Sequence, residues 1–236
     1  MIDTHCHLLP GLDDGPATLE DSLVLARALA DAGVTRAVCT PHWSRQFPTE
    51  HDAARRQLTL LRETLAEAGV ELELGLGAEI GPATLVAATP EALSERRIGG
   101  YLLVELVADT PVGFLDVALD AAESVDARPI FAHPERCAAV RRRPEALDAA
   151  RSAGALSQVT ATCLGGRFGP EVEAFAWELV AGGGADLVAS DAHRVSPRGL
   201  HLARAVRSIE ERFGRGARVE LTERVPSLVV AGTPGS

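Results

Sequence analysis

The chain has 236 residues, of which 46% are hydrophobic, and this is enough to bury the core of one α/β domain. Its formal net charge of −10 argues against binding to nucleic acid or to an anionic membrane surface. All 23 basic residues are arginines, so the sequence excludes Schiff-base, pyridoxal-phosphate and P-loop chemistry, each of which needs a lysine.

Short apolar runs alternate with longer amphipathic segments along the chain. We predict strands near residues 1–5, 34–40, 72–79, 100–106, 128–132, 155–160 and 185–190. We predict helices near residues 18–32, 50–68, 113–124, 144–153, 168–182 and 198–213. Such alternation implies parallel strands joined by right-handed crossovers, and seven strands favour a TIM-like (β/α)7 barrel. One domain is expected over residues 1–225, followed by a mobile tail over residues 226–236.

Neither a membrane span nor a secretion signal is predicted. No apolar run approaches the roughly 18–20 residues that cross a bilayer. The first residues, MIDTHCHLLPGLDD, lack a basic region followed by a long apolar run. We therefore expect a cytoplasmic protein that does not insert into the membrane. The four cysteines form no CxxC pair and are expected to be reduced.

Histidines and carboxylates cluster where the predicted strands end. The histidines are His5 and His7 after the first strand, His42 after the second, His133 after the fifth and His193 after the seventh. The carboxylates are Asp14 in the loop after the first strand, Glu79, Glu105 and Asp191. The carboxyl ends of all strands open on one face of a parallel barrel, so these nine side chains are expected to converge. One such histidine alone is more often structural, but the joint pattern predicts a site for manganese, iron, cobalt or zinc.

Six segments carry a resemblance to a known family. They are MIDTHCHLLPGLDDG, TPHW, GAEI, LLVEL, FAHPER and ASDAH, and they span residues 1 to about 200. They resemble the PHP (polymerase and histidinol phosphatase) superfamily and, within it, the bacterial protein-tyrosine phosphatases of capsule and exopolysaccharide biosynthesis, the CpsB/CapC type. The resemblance implies a distorted (β/α)7 barrel, the PHP fold, and a metal-dependent phosphoric monoester hydrolase that acts on phosphotyrosine.

The resemblance also implies a cluster of two or three divalent ions, with manganese as the first choice and iron, cobalt or zinc as alternatives. By analogy, the first ion would be held by His5, His7, Glu79 and Asp191, the second by Glu79, Glu105 and His133, and the third by Asp14, His42 and His193.

Arginines of the family bind the phosphate group. Arg136 in HPER matches one of them and Arg198 matches another, for which Arg194 is the alternative. On this hypothesis a metal-bridging hydroxide attacks phosphorus, and arginine takes up charge on the phosphate oxygens. The partner implied by the resemblance is the phosphotyrosine tail of a bacterial tyrosine kinase that controls polysaccharide export.

Three alternatives remain open from the residues. The same site could hydrolyse histidinol phosphate or another small phosphomonoester, or the chain could be a non-catalytic metal-binding regulatory module. A cysteine phosphatase is the third, because Cys39 to Arg45 and Cys137 to Arg143 both fit Cys-x5-Arg. The first match contains Pro41 and the candidate ligand His42, and the second has no glycine to shape a tight phosphate loop. The sequence carries no signal that sets the oligomeric state.

Overall fold

The computed structural model describes residues 1–195 and 201–231. Its strands are β1 (Ile2–Cys6), β2 (Arg36–Cys39), β3 (His42–Trp43), β4 (Glu73–Leu76), β5 (Glu79–Ile80), β6 (Tyr101–Glu105), β7 (Arg128–Ala132), β8 (Leu156–Thr160) and β9 (Leu187–Ala189). Its α-helices are α1 (Leu19–Asp31), α2 (His51–Glu67), α3 (Pro82–Ala87), α4 (Pro90–Ser94), α5 (Phe114–Glu123), α6 (Ala138–Arg142), α7 (Pro144–Ser152), α8 (Pro170–Ala181), α9 (His201–Val219) and α10 (Val225–Val230). A 3-10 turn, Pro134–Arg136, and a π-helical turn, Glu220–Arg224, complete the described elements.

The strands form a closed parallel barrel. Hydrogen bonding orders them β1-β2-β4 and β3-β5-β6-β7-β8-β9. The chain runs directly from β2 into β3 and from β4 into β5. Each of these two pairs therefore occupies one strand position in the barrel wall. The barrel closes between β1 and the segment after β9, where Asp191 N donates to His5 O at 2.9 Å and His7 N donates to Ala192 O at 2.9 Å. The predicted distorted (β/α)7 barrel is confirmed.

The predicted strands and long helices are found, and the missed elements are short. The second and third predicted strands are each divided in two, as β2 with β3 and β4 with β5. No helix was predicted between residues 80 and 100, where the structure has α3 and α4. Each begins with a proline and spans fewer than two turns, which is too short to show an apolar period.

Apolar side chains pack in two layers, inside the barrel and between the barrel and its helices. Along β6, Leu103 belongs to the inner layer, whereas Leu102 and Val104 belong to the outer one. This alternation follows from the two-residue period of a strand. Ile130 of β7 and Leu187 of β9 join Leu103 in the inner layer. The strands thus form a rigid support for the side chains at their carboxyl ends.

The prediction of a mobile tail from Pro226 onward is wrong for residues 226–230. These residues belong to α10, in which Val229 and Val230 are buried at 0% and 2% exposure. Both contact the inner apolar layer of the barrel, so α10 closes the barrel interior. A short apolar segment at a chain end shows no helical period, and its burial depends on a tertiary contact that the sequence does not display. Residues 232–236 lie outside the described part of the chain.

Among the described residues, none of the helices combines the length and the apolar character needed to cross a lipid bilayer.

Candidate metal centre

The structure brings the nine predicted ligand residues together at the carboxyl end of the barrel. The residues in the wall itself are His5 in β1, His42 in β3, Glu79 in β5 and Glu105 at the end of β6. The residues that follow a strand are His7 and Asp14 after β1, His133 after β7, and Asp191 and His193 after β9. Imidazoles and carboxylates from segments nearly 190 residues apart therefore share one end of the fold.

The side chains of His5, His7 and Glu79 place one atom each around a common point, and Asp191 approaches both histidines. His5 Nε2 and His7 Nε2 are 3.2 Å apart. Glu79 Oε2 lies 3.3 Å from His5 Nε2 and 3.4 Å from His7 Nε2. Asp191 Oδ1 lies 3.5 Å and 3.6 Å from the same two nitrogens. Ligands of one ion with bonds of about 2.0–2.2 Å are separated by about 3.0–3.6 Å, so this spacing fits a divalent cation.

Glu79 carries an orphaned atom at this point. Its side chain is 1% exposed, and Oε2 makes no hydrogen bond although three imidazoles surround it. The third imidazole is His42, whose Nδ1 lies 2.9 Å from Oε2. A buried carboxylate oxygen without a donor is costly unless a cation completes its environment. The donor set and this unmatched oxygen both fit a metal ion.

Neighbouring side chains orient the two histidines of β1. Asp13 Oδ2 lies 2.7 Å from His7 Nδ1 and also accepts from His42 N at 2.9 Å. The amide Nε2 of Gln158 in β8 lies 2.8 Å from His5 Nδ1. A carboxylate on Nδ1 fixes the ring and leaves Nε2 for the ion, and an amide does the same when its oxygen faces Nδ1. Metal binding by His5 requires its Nδ1 proton to meet the amide oxygen of Gln158.

The other candidate ligands form two further groups that share members with the first. His133 Nε2 lies 2.9 Å from Glu79 Oε1. Glu79 also groups with His42 and Glu105, whose ligand atoms lie within 4.8 Å of one another. The structure thus brings His42, as well as His133, to the second ion site that the resemblance implied.

The group at the third implied ion site lies nearer to solvent. Asp14 Oδ1 is 3.1 Å from His193 Nε2 and 3.5 Å from His42 Nε2. His7 joins these three within the same 4.8 Å limit. The side chain of Asp14 is 50% exposed, whereas that of His7 is fully buried. This group therefore opens toward solvent.

Neighbouring positive charges lower the pKa values of Glu79 and Asp191, the two most buried carboxylates among the candidate ligands. Burial would raise the pKa of Glu79, but His5 and hydrogen bonds with His133 hold it well below its usual value. Burial acts in the same way on Asp191, yet the positive charges of His5 and Arg136 lower its pKa to about 2. Both carboxylates are therefore ionised at neutral pH and available to a cation.

The pKa values of two of the imidazoles, those of His7 and His193, shift in opposite directions. Burial would lower the pKa of His7, but the carboxylates of Asp13 and Glu79 beside the ring raise it well above its usual value. The pKa of His193 is lowered by burial and by the neighbouring His7. Before an ion binds, some rings thus hold protons among the carboxylates, and a cation would take the place of those protons.

Two candidate ligands occupy a backbone conformation that L-residues rarely adopt. His133 has φ +41° and Asp191 has φ +51°, both in the left-handed region. Such residues outside glycine cost of order 1–3 kcal/mol each and cluster at functional sites. The surrounding barrel holds them, since His133 N donates to Gln158 O at 2.9 Å and Asp191 N donates to His5 O at 2.9 Å.

Gly15 is required next to His7. A Cβ atom at this position would lie 2.7 Å from His7 O and 3.0 Å from Asp13 Oδ1. The backbone of Gly15 instead donates to that same Asp13 oxygen at 3.0 Å. The glycine that ends the LDDG segment thus lets the loop fold against the histidine and hold Asp13 in place.

Arg136 reaches the cluster from the 3-10 turn after β7. Its Nη2 donates to Asp191 Oδ2 at 2.6 Å, while its buried Nε has no hydrogen-bond partner. The turn is fixed by Glu135, whose carboxylate accepts from Thr160 N at 2.8 Å, and by Arg141, which donates to the Arg136 carbonyl at 2.9 Å. The guanidinium therefore stands beside the candidate ligands with donors to spare.

A cavity of about 470 Å³ opens beside the cluster. Its lining includes Arg136, Arg167, Phe168, His193 and Arg194. The Phe168 ring stacks on the Arg136 guanidinium at 4.1 Å and is 45% exposed. The predicted Arg198 lies outside the described residues, whereas its alternative Arg194 is exposed at the cavity. Arg167 also lines the cavity.

The cysteine-phosphatase alternative finds no support in the structure. Cys39 in β2 and Cys137 are both 0% exposed. Cys137 Sγ donates to Thr110 O at 3.3 Å and faces away from solvent. A nucleophilic thiolate must be reachable by substrate and stabilised by positive charge, and neither thiol has such a setting.

Sequence reasoning missed the residues that orient the ligands. Asp13 stands beside the predicted Asp14, and nothing in the sequence of two adjacent aspartates indicates which one bonds to His7. Gln158 left a clearer signal, because it is the large polar side chain within the strand LSQVT and is 0% exposed. A buried amide in a strand must have partners, and here they are His5 and Thr4.

Comparisons with known proteins agree with this geometry. The profile of the family described as "Capsular polysaccharide synthesis, CpsB/CapC" matches residues 1–231. Tyrosine-protein phosphatase YwqE of Bacillus subtilis is 32% identical over 235 residues, which covers 97% of this chain and 91% of the relative. Tyrosine-protein phosphatase CpsB of Streptococcus pneumoniae is 26% identical over 241 residues and covers 98% of each.

The solved structures give the same picture. One described as YwqE from Bacillus subtilis and CpsB from Streptococcus pneumoniae, "unique metal-dependent tyrosine phosphatases", superposes with a TM-score of 0.87 at 31% identity and covers 99% of this chain and 95% of that one. Histidinol phosphate phosphatase from Lactococcus lactis has a TM-score of 0.52 at 12% identity, covering 92% and 94%, and shares the fold alone.

Proposed function

Because the chain belongs to the CpsB/CapC family of capsular polysaccharide synthesis, we propose that it is a metal-dependent protein-tyrosine phosphatase. The observation that carries the proposal is the arrangement of His5 Nε2, His7 Nε2 and Glu79 Oε2 at the end of the barrel, with separations of 3.2–3.4 Å, and the approach of Asp191 Oδ1 to the two nitrogens at 3.5 and 3.6 Å. Two further groups of possible metal ligands, one with His7, Asp14, His42 and His193 and one with His42, Glu79 and Glu105, share members with it.

Two or three divalent ions would be held by the nine clustered residues. His5, His7, Glu79 and Asp191 would hold the innermost ion, and Asp14, His42 and His193 the outermost. When bound, such ions supply Lewis acidity and a deprotonated water near neutral pH. Manganese is the proposed metal because the resemblance to the family implies it, and the imidazole and carboxylate ligands also allow iron, cobalt or zinc.

Arg136 is the proposed phosphate ligand of this chain. Its bond to Asp191 holds the guanidinium at the edge of the metal centre, and its free Nε faces no protein acceptor. Arginine can pair with two phosphate oxygens at once and stabilise the charge that builds up on them. Arg198 and its alternative Arg194 are proposed as the second phosphate-binding position.

The cavity beside Arg136 favours an aryl phosphate as substrate. Phe168 lines it with an exposed aromatic face, and Arg167 and Arg194 add positive charge. An aromatic leaving group can pack on Phe168 while its phosphate lies at Arg136. A tyrosine oxygen has a pKa of about 10, so it departs with less acid assistance than an alkyl alcohol.

The partner that we propose is the phosphotyrosine tail of a bacterial tyrosine kinase that controls polysaccharide export. We propose that the two proteins interact in the cytoplasm. The cavity mouth is open and positively charged on the side of Arg194, as an extended anionic peptide would need. The histidinol-phosphate alternative has no comparable support, since the histidinol phosphatase relationship is limited to the fold.

Substrate comparison tests the proposal. The manganese-loaded protein is expected to hydrolyse a phosphotyrosine peptide with at least a tenfold higher kcat/KM than histidinol phosphate, a difference of about 1.4 kcal/mol in transition-state binding. Chelation should abolish turnover, and Cys137→Ser should leave it unchanged. Faster turnover of histidinol phosphate, or activity that survives the chelator, would contradict the proposal.

A further inference from the structure

A second cavity, outside the barrel wall, collects positive charge that the metal centre does not use. We call it the α2 pocket; it has a volume of about 450 Å³ and is lined by His51, Arg55, Leu58, Arg62, Leu76 and Arg97, among others. None of its lining residues is among the candidate metal ligands or the residues of the Arg136 cavity. It lies between α2 and the segment that precedes β6.

The basic residues of α2 reach the pocket because of helical spacing. His51 and Arg55 are four residues apart and Arg62 follows seven residues later, so all three lie on one face. Arg97 comes from the opposite wall. Three arginines thus line a cavity that contains one acid, Glu95, and that acid already pairs with Arg96 at 3.6 Å.

These arginines have no anionic partner in the described chain. Arg55 makes no side-chain hydrogen bond or ion pair with any described residue. Arg62 donates to the Leu74 carbonyl, and Arg97 Nη1 donates to Val125 O at 3.0 Å. A guanidinium has five N–H donors, so each anchored arginine keeps donors for another acceptor.

The pocket is lined by three arginines and a single acid, although the whole chain carries a net charge of −10. Burial and the charges of Arg96 and Arg55 lower the pKa of the His51 imidazole, while Glu95 and Asp52 act in the opposite direction. Grouping like charges without counterions is unfavourable unless a ligand supplies the opposite charge. The apolar floor of Leu58 and Leu76 offers a surface to the organic part of such a ligand.

We propose that the α2 pocket binds the phosphate group of an organic phosphate at a position separate from the metal centre. Arginine is the side chain that recognises phosphate most directly, through paired hydrogen bonds. The pocket volume lies in the range that small-molecule ligands occupy, so it admits a phosphotyrosyl group as well as inorganic phosphate. The choice of phosphotyrosine as a ligand rests on the proposed function.

Calorimetric titration tests the site on chelator-treated full-length protein, in which the probe is not turned over. The probes are O-phosphotyrosine, inorganic phosphate and unphosphorylated tyrosine. Arg55→Gln is expected to weaken phosphotyrosine binding about tenfold or more, the usual loss for a hydrogen bond to a charged group. The matched control is Arg56→Gln, which makes the same charge change at the next, exposed position of α2 and should leave binding within about twofold.

The probes distinguish the sources of the phosphate group. If inorganic phosphate and phosphotyrosine bind equally, the arginines alone recognise the ligand. If phosphotyrosine binds more tightly, the apolar side chains of the pocket contribute as well. Both outcomes support the site. Absence of saturable binding, equal weakening by Arg55→Gln and Arg56→Gln, or equal binding of tyrosine would overturn it. Arg55→Gln should hydrolyse p-nitrophenyl phosphate at the wild-type rate. If the wild type itself fails to turn over this substrate, the proposed function is contradicted, but the binding result for the α2 pocket still stands.

Discussion

At the scale of single residues, the candidate ligands could be predicted because histidines and acids recur at successive strand ends. Sequence spacing sufficed for that, since a parallel barrel directs all these ends to one face. The supporting role of Asp13 could not be predicted, because its bond to His7 depends on how one loop folds back. The role of the nine residues as ligands stays a prediction until an ion is located.

Asp13 is the residue through which this supporting layer is best tested. Asp13→Asn should weaken metal binding and lower turnover by about 10–100-fold, because the His7 ring loses the carboxylate that orients it. Metal titration and aryl phosphate turnover measure the two effects. Asp109→Asn, an exposed acid in a loop, is the control and should change neither. Unchanged metal affinity in Asp13→Asn would show that the bond is dispensable.

Phe168 offers a test of aryl recognition. Phe168→Leu should raise the KM for phosphotyrosine peptide by about three- to tenfold, because aromatic and cation–π contacts contribute about 0.5–1.5 kcal/mol. The KM for an alkyl phosphate should change little. Phe213→Leu removes an equally exposed ring that does not line the cavity, and it should leave both values unchanged. A parallel change for both substrates in Phe168→Leu would argue against ring recognition.

Protons and metal ions compete for the same imidazoles, and this predicts the sign of a pH effect. The carboxylates of Asp13 and Glu79 raise the pKa of His7 in the ion-free site, so a proton competes with an ion for this ring. Metal affinity should therefore rise with pH until the raised pKa of His7 is passed. Calorimetry at pH values from about 6 to 8 in two buffers measures the affinity and the protons released. Affinity that falls over this range would contradict the assignment of His7.

At the scale of elements, helices with several turns were predictable, and segments shorter than two turns were not. α1 has an N-cap at Thr18 and buries Leu25 and Leu29 on one face, a pattern visible in sequence. α10 has no such pattern, and its burial follows from its contact with the inner apolar layer of the barrel. Its position gives a structural role to a segment that resembled a mobile tail.

Two adjacent residues of α10 test that role. Val229→Ala should lower the free energy of unfolding by about 2 kcal/mol, because it leaves a cavity at a fully buried position. Leu228→Ala is the control, since Leu228 is 60% exposed and should change stability by about 0.5 kcal/mol or less. Urea denaturation measures both. Equal effects at the two positions would mean that α10 does not close the barrel as described.

At the scale of the whole molecule, the barrel could be predicted from alternation but its closure could not. Closure depends on backbone hydrogen bonds between β1 and the segment after β9, which join residues nearly 190 positions apart. The metal centre lies at this junction, since His5, His7 and Asp191 come from the two joined segments. An ion there would bind both ends of the barrel wall and should add to the stability of the fold.

The metal content of the purified protein, measured together with its turnover of p-nitrophenyl phosphate, tests the central claim most directly. Wild type loaded with manganese should retain about two to three ions per chain and be active, whereas Glu79→Gln should lose most of the metal and nearly all turnover, since Glu79 contacts His5, His42 and His133. Equal metal content and equal turnover in the two proteins would contradict the account.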